Sequence, residues 1–416
     1  MIVLLGISTV LTGNEWIGWM NDLIIFVLLV GILLHNFAQD TGWNFGKYLA
    51  EIVAAVCGAV CFIGKPFADG GAFYRSKKTR ESHAGWYVLI GICAAVPCLM
   101  VLVLLLMSAD MVFADLLVRF AGVFRFPVKL LRILLMLVFG FLSSYCGVRY
   151  VQKHAADIKP SAGKTAEPLI AIAFTAPIAV LYLLFSAIQI VYLFIGNMQL
   201  PAGVTYAEYA RRGFFQLLFV CVLNLAAVLF IQSYFKENRV LKALLLAISG
   251  CTLIMTASSA CRMLLYIRAY QLTFLRVSVL VALAVIALLM AGVIAKIVKP
   301  QFPLFRYGFV LVGAVYLVFS FSHVDYFIAA YNLTHTSWEA SGEETVDYSY
   351  LYTLSTDAAP AIEKYAGKSG AADYRKQGWY QLYCEANEEA LNATGLRTYN
   401  VSHAVAKQLL MEDNRE

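Results

Sequence analysis

The chain has 416 residues, of which 61% are apolar and only 14% charged, with a mean hydropathy of +0.72 and a net charge of +6. A soluble domain carries a charged share nearer a quarter, so this composition excludes an ordinary soluble protein before any segment is considered. The basic balance does not point to nucleic acid either, because the excess falls in loops between apolar runs, where anionic lipid headgroups account for it.

From the amino terminus, Met1–Leu11 is apolar but too short to cross a bilayer alone. It lacks the basic start and small-residue cleavage site of a signal peptide, and it also fits the inside of a longer first helix. Trp16–Ala38 is long enough to span despite Asn21 and Asp22 near its start. Tyr48–Gly64 is shorter and carries Glu51, so it spans or lies in the interface. Cys57 and Cys61 share one helical face there, but with no histidine or second cysteine pair nearby they read as packing rather than metal ligands.

Seven long apolar blocks follow, near Trp86–Ala109, Leu130–Val148, Pro168–Asn197, Gly213–Phe235, Ala243–Tyr266, Val277–Ala295 and Gly308–Ser322. Crossing roughly 30 Å of hydrocarbon takes about 20 helical residues, and only helices or closed barrels satisfy their backbone there. The runs are continuous rather than alternating, which makes them helices. The expected fold is all-α, a polytopic membrane bundle with seven clear spans from Trp86 and one to three more before it. Pro97 and Pro177 fall mid-span and predict kinks. Ser249, Gly250, Thr252, Thr256, Ser258 and Ser259 form a small polar stripe, read as helix packing with an ion path as the alternative. Met111–Lys129 interleaves aromatics with Arg119 and Arg125, as an amphipathic helix on the outer surface does.

Lysine and arginine in short loops set orientation. Loops 65–85, 149–167, 236–242 and 296–306 hold fifteen, against eight in loops 110–132, 198–212 and 267–276. The first set is expected in the cytoplasm, which puts the tail after Ser322 outside. That tail holds fourteen acidic against seven basic residues, and the preceding 322 residues hold twelve against twenty-five. Three regions are therefore expected: 1–85, N-terminal spans and a basic loop; 86–322, a seven-span core; and 323–416, an acidic helical extracytoplasmic tail. In the tail, Ser355 or Asp357 caps a helix through Tyr365, and Trp379, Leu382, Tyr383, Ala386 and Ala390 form one apolar stripe. Ser402 is expected to open a last helix, and Asn332 and Asn392 match glycosylation acceptors. A core of that size is small and calls for completion by the membrane part or a partner.

Polar groups collect at one depth, near the outer ends of the spans. The candidate binding residues are Gln189, Tyr192, Tyr206, Glu208, Tyr209, Arg212, Gln216, Arg262, Tyr266 and Arg268, with Arg211, His323 and Asp325 close by. They can line an outward-open cavity covered by the acidic tail. The competing reading is interfacial anchoring: Arg262 lies about 28 Å from the inner end of its helix and can snorkel into headgroups, among tyrosines of an aromatic belt. No phosphate loop, zinc-protease helix, nucleophile elbow or dinucleotide glycine fingerprint is present in the sequence, so neither a catalytic residue nor a cofactor is expected. The six histidines lack ligand spacing, and His323, Asp325 and His335 read as solvated surface rather than a metal site.

Residues 201–216, PAGVTYAEYARRGFFQ, resemble a motif of a bacterial multi-pass membrane family catalogued as a domain of unknown function, in the series 4153/4173. Residues 262–273 (RMLLYIRAYQLT), 324–332 (VDYFIAAYN) and 350–360 (YLYTLSTDAAP) agree with it, and the likeness runs from Trp86 to the final helix. The resemblance implies a bacterial cell-membrane protein, often of Gram-positive lineages, and no assigned activity. The chain departs from the pattern at Ala330, where a basic residue is usual, and its amino-terminal end is short. The leading expectation is a non-enzymatic envelope scaffold or sensor whose outer tail meets a protein partner or signal. A permease with an outward polar cavity is the second reading. An intramembrane enzyme on lipid-linked substrates, using Glu208 and His323, is the third.

Overall fold

The computed structural model describes residues 1–38, 43, 45–77, 128–154, 164–191, 214–335, 337–338, 344–345, 348–366, 375, 377–392, 395 and 398–412, with isolated positions between 91 and 113. The apolar block Trp86–Ala109 with Pro97, and the amphipathic stretch Met111–Lys129, lie largely outside the described residues. The chain divides into two compact units, residues 29–161 and residues 1–28 with 162–416.

The first unit is built from the second half of α2 (Glu15–Phe37), α3 (Phe45–Cys61), α4 (Lys65–Lys77) and α5 (Val128–His154). Leu34, Ala55 and Val151 form its buried core. Gly58 lets the ring of Tyr150 lie against the α3 backbone, where a Cβ would sit 2.2 Å from a ring carbon. Helices α3 and α4 are bent by 62° at a short break, which is why Tyr48–Gly64 reads as neither a clean span nor a surface helix. Asp69 on α4 accepts from the Tyr145 hydroxyl at 2.9 Å and from Arg149 Nε at 2.7 Å, both on α5.

The second unit holds α1 (Ile2–Leu11), the start of α2, and five long helices: α6 (Pro168–Gln189), α7 (Phe214–Tyr234), α8 (Arg239–Tyr270), α9 (Phe274–Val298) and α10 (Leu304–Phe321). After α10 come α11 (Val324–Thr334), a two-residue antiparallel ladder of β1 (Ser337–Trp338) with β2 (Glu344–Thr345), and α12 (Ala359–Tyr365). The last elements are α13 (Gly378–Ala386), α14 (Glu388–Leu391) and α15 (Val401–Lys407). Among the described residues seven helices are long and apolar enough to cross a membrane, or eight if the bent α3–α4 pair is one span. Their outward faces are apolar: Phe139 and Val318 are each 73% exposed, a surface that only acyl chains cover without cost. The chain is a polytopic helical membrane protein.

Helix α8 is the inner element of the second unit. At 32 residues it is about 48 Å long and outreaches the hydrocarbon. Its small buried residues, Ser249, Thr252, Thr256 and Ser259, leave room for α6 and α7 to approach closely. Asn238 starts it, its side chain accepting from Val240 N at 2.8 Å and Leu241 N at 3.5 Å. It ends at Gln271, which holds a left-handed φ of 63° that a non-glycine residue rarely adopts. Neighbours impose that conformation. The Arg276 guanidinium donates to the Tyr270 and Gln271 carbonyls, and Asn332 exchanges two 2.9 Å hydrogen bonds with the backbone of Leu272. Asn332 is 1% exposed and fully engaged, so its acceptor motif marks a structural clamp and not a glycan site.

Asn21, in the apolar interior, gathers three helices. Its carbonyl accepts from the Tyr316 hydroxyl at 2.8 Å and Ser320 Oγ at 2.9 Å, and its amide faces Thr9 and Ser8 at 3.2 and 3.4 Å. Asn21→Leu leaves the Tyr316 and Ser320 hydroxyls without this acceptor. Single intramembrane hydrogen bonds contribute about 0.6 kcal/mol, so a loss of about 1–2 kcal/mol is expected in denaturant unfolding in bicelles. No change in stability relative to wild type would sink this role.

Candidate functional site

The tail core is built on the span ends. Ile17 of α2 joins Val324, Ile328 and Leu333 of α11, Leu351, Ile362, Trp379 and Tyr383 in one buried cluster, and Leu272 of the α8–α9 turn, Phe274 and Val277 of α9 and Phe319 of α10 pack against it. The small core expected for residues 323–416 is thus completed by the membrane part. In α13 the buried residues are Trp379, Tyr380 and Tyr383, followed by Asn387, while Leu382 is 48% exposed. The buried face thus runs through Tyr380 and Asn387 rather than Leu382 and Ala386, and Asn387 Nδ2 donates to the Leu354 carbonyl at 3.1 Å. Ser355 does cap the turn before α12, accepting from Asp357 N, but α15 is opened by Asn400 rather than Ser402.

Beneath that cluster two carboxylates and an imidazole meet the turn between α1 and α2. Asp357 accepts from Thr12 Oγ1 at 2.5 Å and Gly13 N at 2.9 Å, and His323 Nδ1 lies 3.4 Å away. Asp325 accepts from Asn14 Nδ2 at 2.9 Å, Ser355 Oγ at 2.6 Å and Ser355 N at 3.2 Å. Asn400 Nδ2 donates to the Thr12 carbonyl at 2.7 Å, and Thr356 and Ser402 share a 2.8 Å hydroxyl contact. His323 holds a left-handed φ of 46°, a strained conformation that aims its ring at Asp357.

The two carboxylates differ in environment. Burial raises Asp325 against the donors Ser355 and Asn14, with the nearby Asp357 adding to the rise. Burial also opposes ionisation of Asp357, but the donors around it, His323, Gly13, Ser402 and Thr12, outweigh that cost and hold it below its ordinary value. Asp357 in turn raises His323, with burial working the other way. Environments that separate paired titrating groups in this way recur at functional sites.

The signs give a pH prediction. The lowered Asp357 stabilises the fold above its ordinary 3.8, and this is lost as pH falls through the lowered value. The raised His323 stabilises it fully below 6.5, and this is lost as pH rises through the raised value. The stability difference between wild type and His323→Gln is therefore expected to be largest between 3.8 and 6.5 and to vanish at higher pH. Thermal unfolding in nanodiscs across pH 4–9 checks this, and a pH-independent difference would contradict it.

Of the sequence-derived candidates, Tyr192, Tyr206, Glu208, Tyr209 and Arg212 lie outside the described residues. The structure brings Gln189 and Arg262 together: Gln189 Oε1 accepts from Ser258 Oγ at 2.7 Å and Arg262 at 3.4 Å. Arg262 is 8% exposed, and its guanidinium turns towards Gln189 of α6. Tyr266 sits apart from them, its ring under the Arg276 guanidinium at 4.4 Å. Gln216 and Arg268 are exposed. His335 stacks on Tyr331 at 4.2 Å and stands away from the His323–Asp357 pair. No group of three metal-ligating side chains occurs among the described residues.

Two features escape a reading by sequence. Tyr182, Asn224 and Thr252 form a hydrogen-bonded file across α6, α7 and α8, at 2.9 and 3.0 Å. A lone asparagine in an apolar block was its signal. The other is the pairing of Thr12 and Asn14 with the tail, signalled only by two polar residues between apolar runs.

No curated protein and no solved structure matches the chain. A family model described as a domain of unknown function (DUF4153) matches residues 1–365. The match takes in the amino-terminal helices, which the sequence motifs from Trp86 onward did not cover, and it holds both Asp325 and Asp357 together with the turn they bind. The chain belongs to the DUF4153 family.

Proposed function

We infer that the chain is an integral membrane scaffold or sensor that mounts residues 323–416 on the extracytoplasmic face for a protein partner or signal. The observation that carries this reading is the node of Asp325, Asp357 and His323, which fastens to the α1–α2 turn a tail whose apolar cluster also packs on the α8–α9 turn, α9 and α10. A tail held this way passes any displacement to several spans at once. Charge supports the orientation. Lys164, Lys236, Lys242 and Lys296 gather at the α7–α8 and α9–α10 ends, and the acidic tail packs on the opposite ends of the same helices.

Single cysteines placed at Tyr399, 60% exposed in the tail, and at Lys236 test the orientation with a membrane-impermeant maleimide on intact cells. Labelling at 399 alone is expected; labelling at 236 alone overturns it. A photocrosslinker at Leu382 is expected to trap one discrete protein, and to lose it with Asp357→Ala. No adduct from any exposed tail position would remove the partner.

A permease is the second reading, favoured by the Tyr182–Asn224–Thr252 file and by the hydroxyls of Ser186, Ser249 and Ser259, buried with no hydrogen-bond partner among the described residues. In that reading Gln189 and Arg262 lie at the outer mouth. Substrate-dependent uptake in vesicles, abolished by Asn224→Leu, would put it first.

A further inference from the structure

At the end of the second unit away from the tail, the α7–α8 turn and the end of α9 enclose a cavity of about 250 Å³. Four lysines stand around it, Lys164, Lys236, Lys242 and Lys296, against one carboxylate, Glu237. Glu237 is shared between Lys164 at 2.8 Å and Lys242 at 2.6 Å, which together push it down to about 2, so it stays ionised and offsets a single positive charge. Lys236 reaches Glu167 at 3.4 Å and is 54% exposed; Lys296 Nζ donates to the Pro300 carbonyl at 2.6 Å. With Glu237 and Glu167 both counted, the four lysines keep two net positive charges.

Its floor is of the opposite character. Ile231, Leu241, Leu245 and Ile297 line it and are buried, between 3% and 6% exposed. Beside it the helix faces are apolar and open, with Tyr234 47%, Val240 56% and Val298 60% exposed. A basic ring over an apolar floor, continuous with an acyl-facing surface, matches an anionic headgroup that keeps its chains in the bilayer.

We propose that this cavity is a binding site for a phosphoryl group, held by Lys164, Lys236, Lys242 and Lys296, and supplied by the headgroup of an anionic glycerophospholipid. Inorganic phosphate shares the chemistry of the headgroup but cannot use the acyl-facing surface. The site is independent of the tail and of the scaffold reading.

Native mass spectrometry of the purified full chain in detergent tests it, with phosphatidylglycerol, phosphatidylcholine and inorganic phosphate as separate probes. Phosphatidylglycerol adducts are expected to exceed phosphatidylcholine adducts. Lys236→Gln/Lys296→Gln is expected to weaken phosphatidylglycerol binding about 30-fold, the effect of removing two lysines at a charged surface. Both lysines have solvent-exposed surface in the structure, and an unchanged size-exclusion profile will confirm folding. Ile231→Trp, which fills the floor, should weaken the lipid and spare phosphate. Phosphate binding without lipid binding overturns the lipid headgroup as the source of the phosphoryl group. Equal binding of both lipids, or phosphatidylglycerol binding that the double variant leaves unchanged with no phosphate bound, overturns the site.

Discussion

Replacing Asp357 by alanine is expected to free the tail from the α1–α2 turn while leaving the long spans folded. The side chain is the shared acceptor for the Thr12 hydroxyl and the Gly13 amide, and Thr12 is only 4% exposed. A buried donor stripped of its acceptor costs about 1–2 kcal/mol, so the two together cost about 2–4 kcal/mol. The imidazole of His323 adds little, because it is 44% exposed and its ion pair is screened. Asp357→Asn keeps one carbonyl acceptor and should fall between wild type and alanine. Limited proteolysis in nanodiscs reads the effect: faster cleavage in the tail with unchanged cleavage elsewhere is expected. Equal resistance of both variants and wild type would show that the carboxylate does not hold the tail.

Gly13→Val is expected to produce a comparable loss by a different route. A Cβ at residue 13 would lie 2.0 Å from Thr356 Oγ1 and 2.9 Å from Ser402 Oγ, so the turn cannot keep its place against the tail. Thr356 is β-branched and 2% exposed, and has little freedom to rotate away. Overpacking costs about 1–3 kcal/mol, and withdrawing the Gly13 amide from Asp357 adds about 1 kcal/mol. The mechanism is separable from a general glycine effect, because Thr356→Ala removes the obstructing oxygen. Gly13→Ala is therefore expected to be far milder in a Thr356→Ala background, a coupling that a double-mutant cycle of tail protease resistance measures. Additive losses would refute the close approach.

The spans were legible from sequence because the bilayer requires long continuous apolar runs, and nothing else in the chain produces them. Trp16–Ala38 became α2, and the blocks starting at Pro168, Gly213, Ala243, Val277 and Gly308 became α6 through α10, with ends moved by a few residues where caps such as Asn238 and Thr273 decide them. The node was not legible. Thr12 and Asp357 are 345 residues apart, and no local pattern couples positions at that distance. Asp357 carried a local reading, as a helix cap, that hid its long-range role. The phase error in α13 has a similar origin: Trp379 and Tyr383 share one side with Leu382 and Ala386 or with Tyr380 and Asn387, and the distant contact of Asn387 with Leu354 goes with the second face. Arg262 was placed at the correct end of its helix, but its side-chain direction depends on Gln189 on a neighbouring helix.

The central claim is that the tail and the α1–α2 turn form one cooperative unit joined through Asp357. Hydrogen exchange by mass spectrometry on the full chain in nanodiscs tests it most directly. Peptides covering residues 12–18 and 351–366 are expected to exchange slowly and at a common rate, and to accelerate together in Asp357→Ala while the α8 interior stays protected. Independent exchange of the two segments in wild type, or acceleration of one without the other in the variant, would contradict the account.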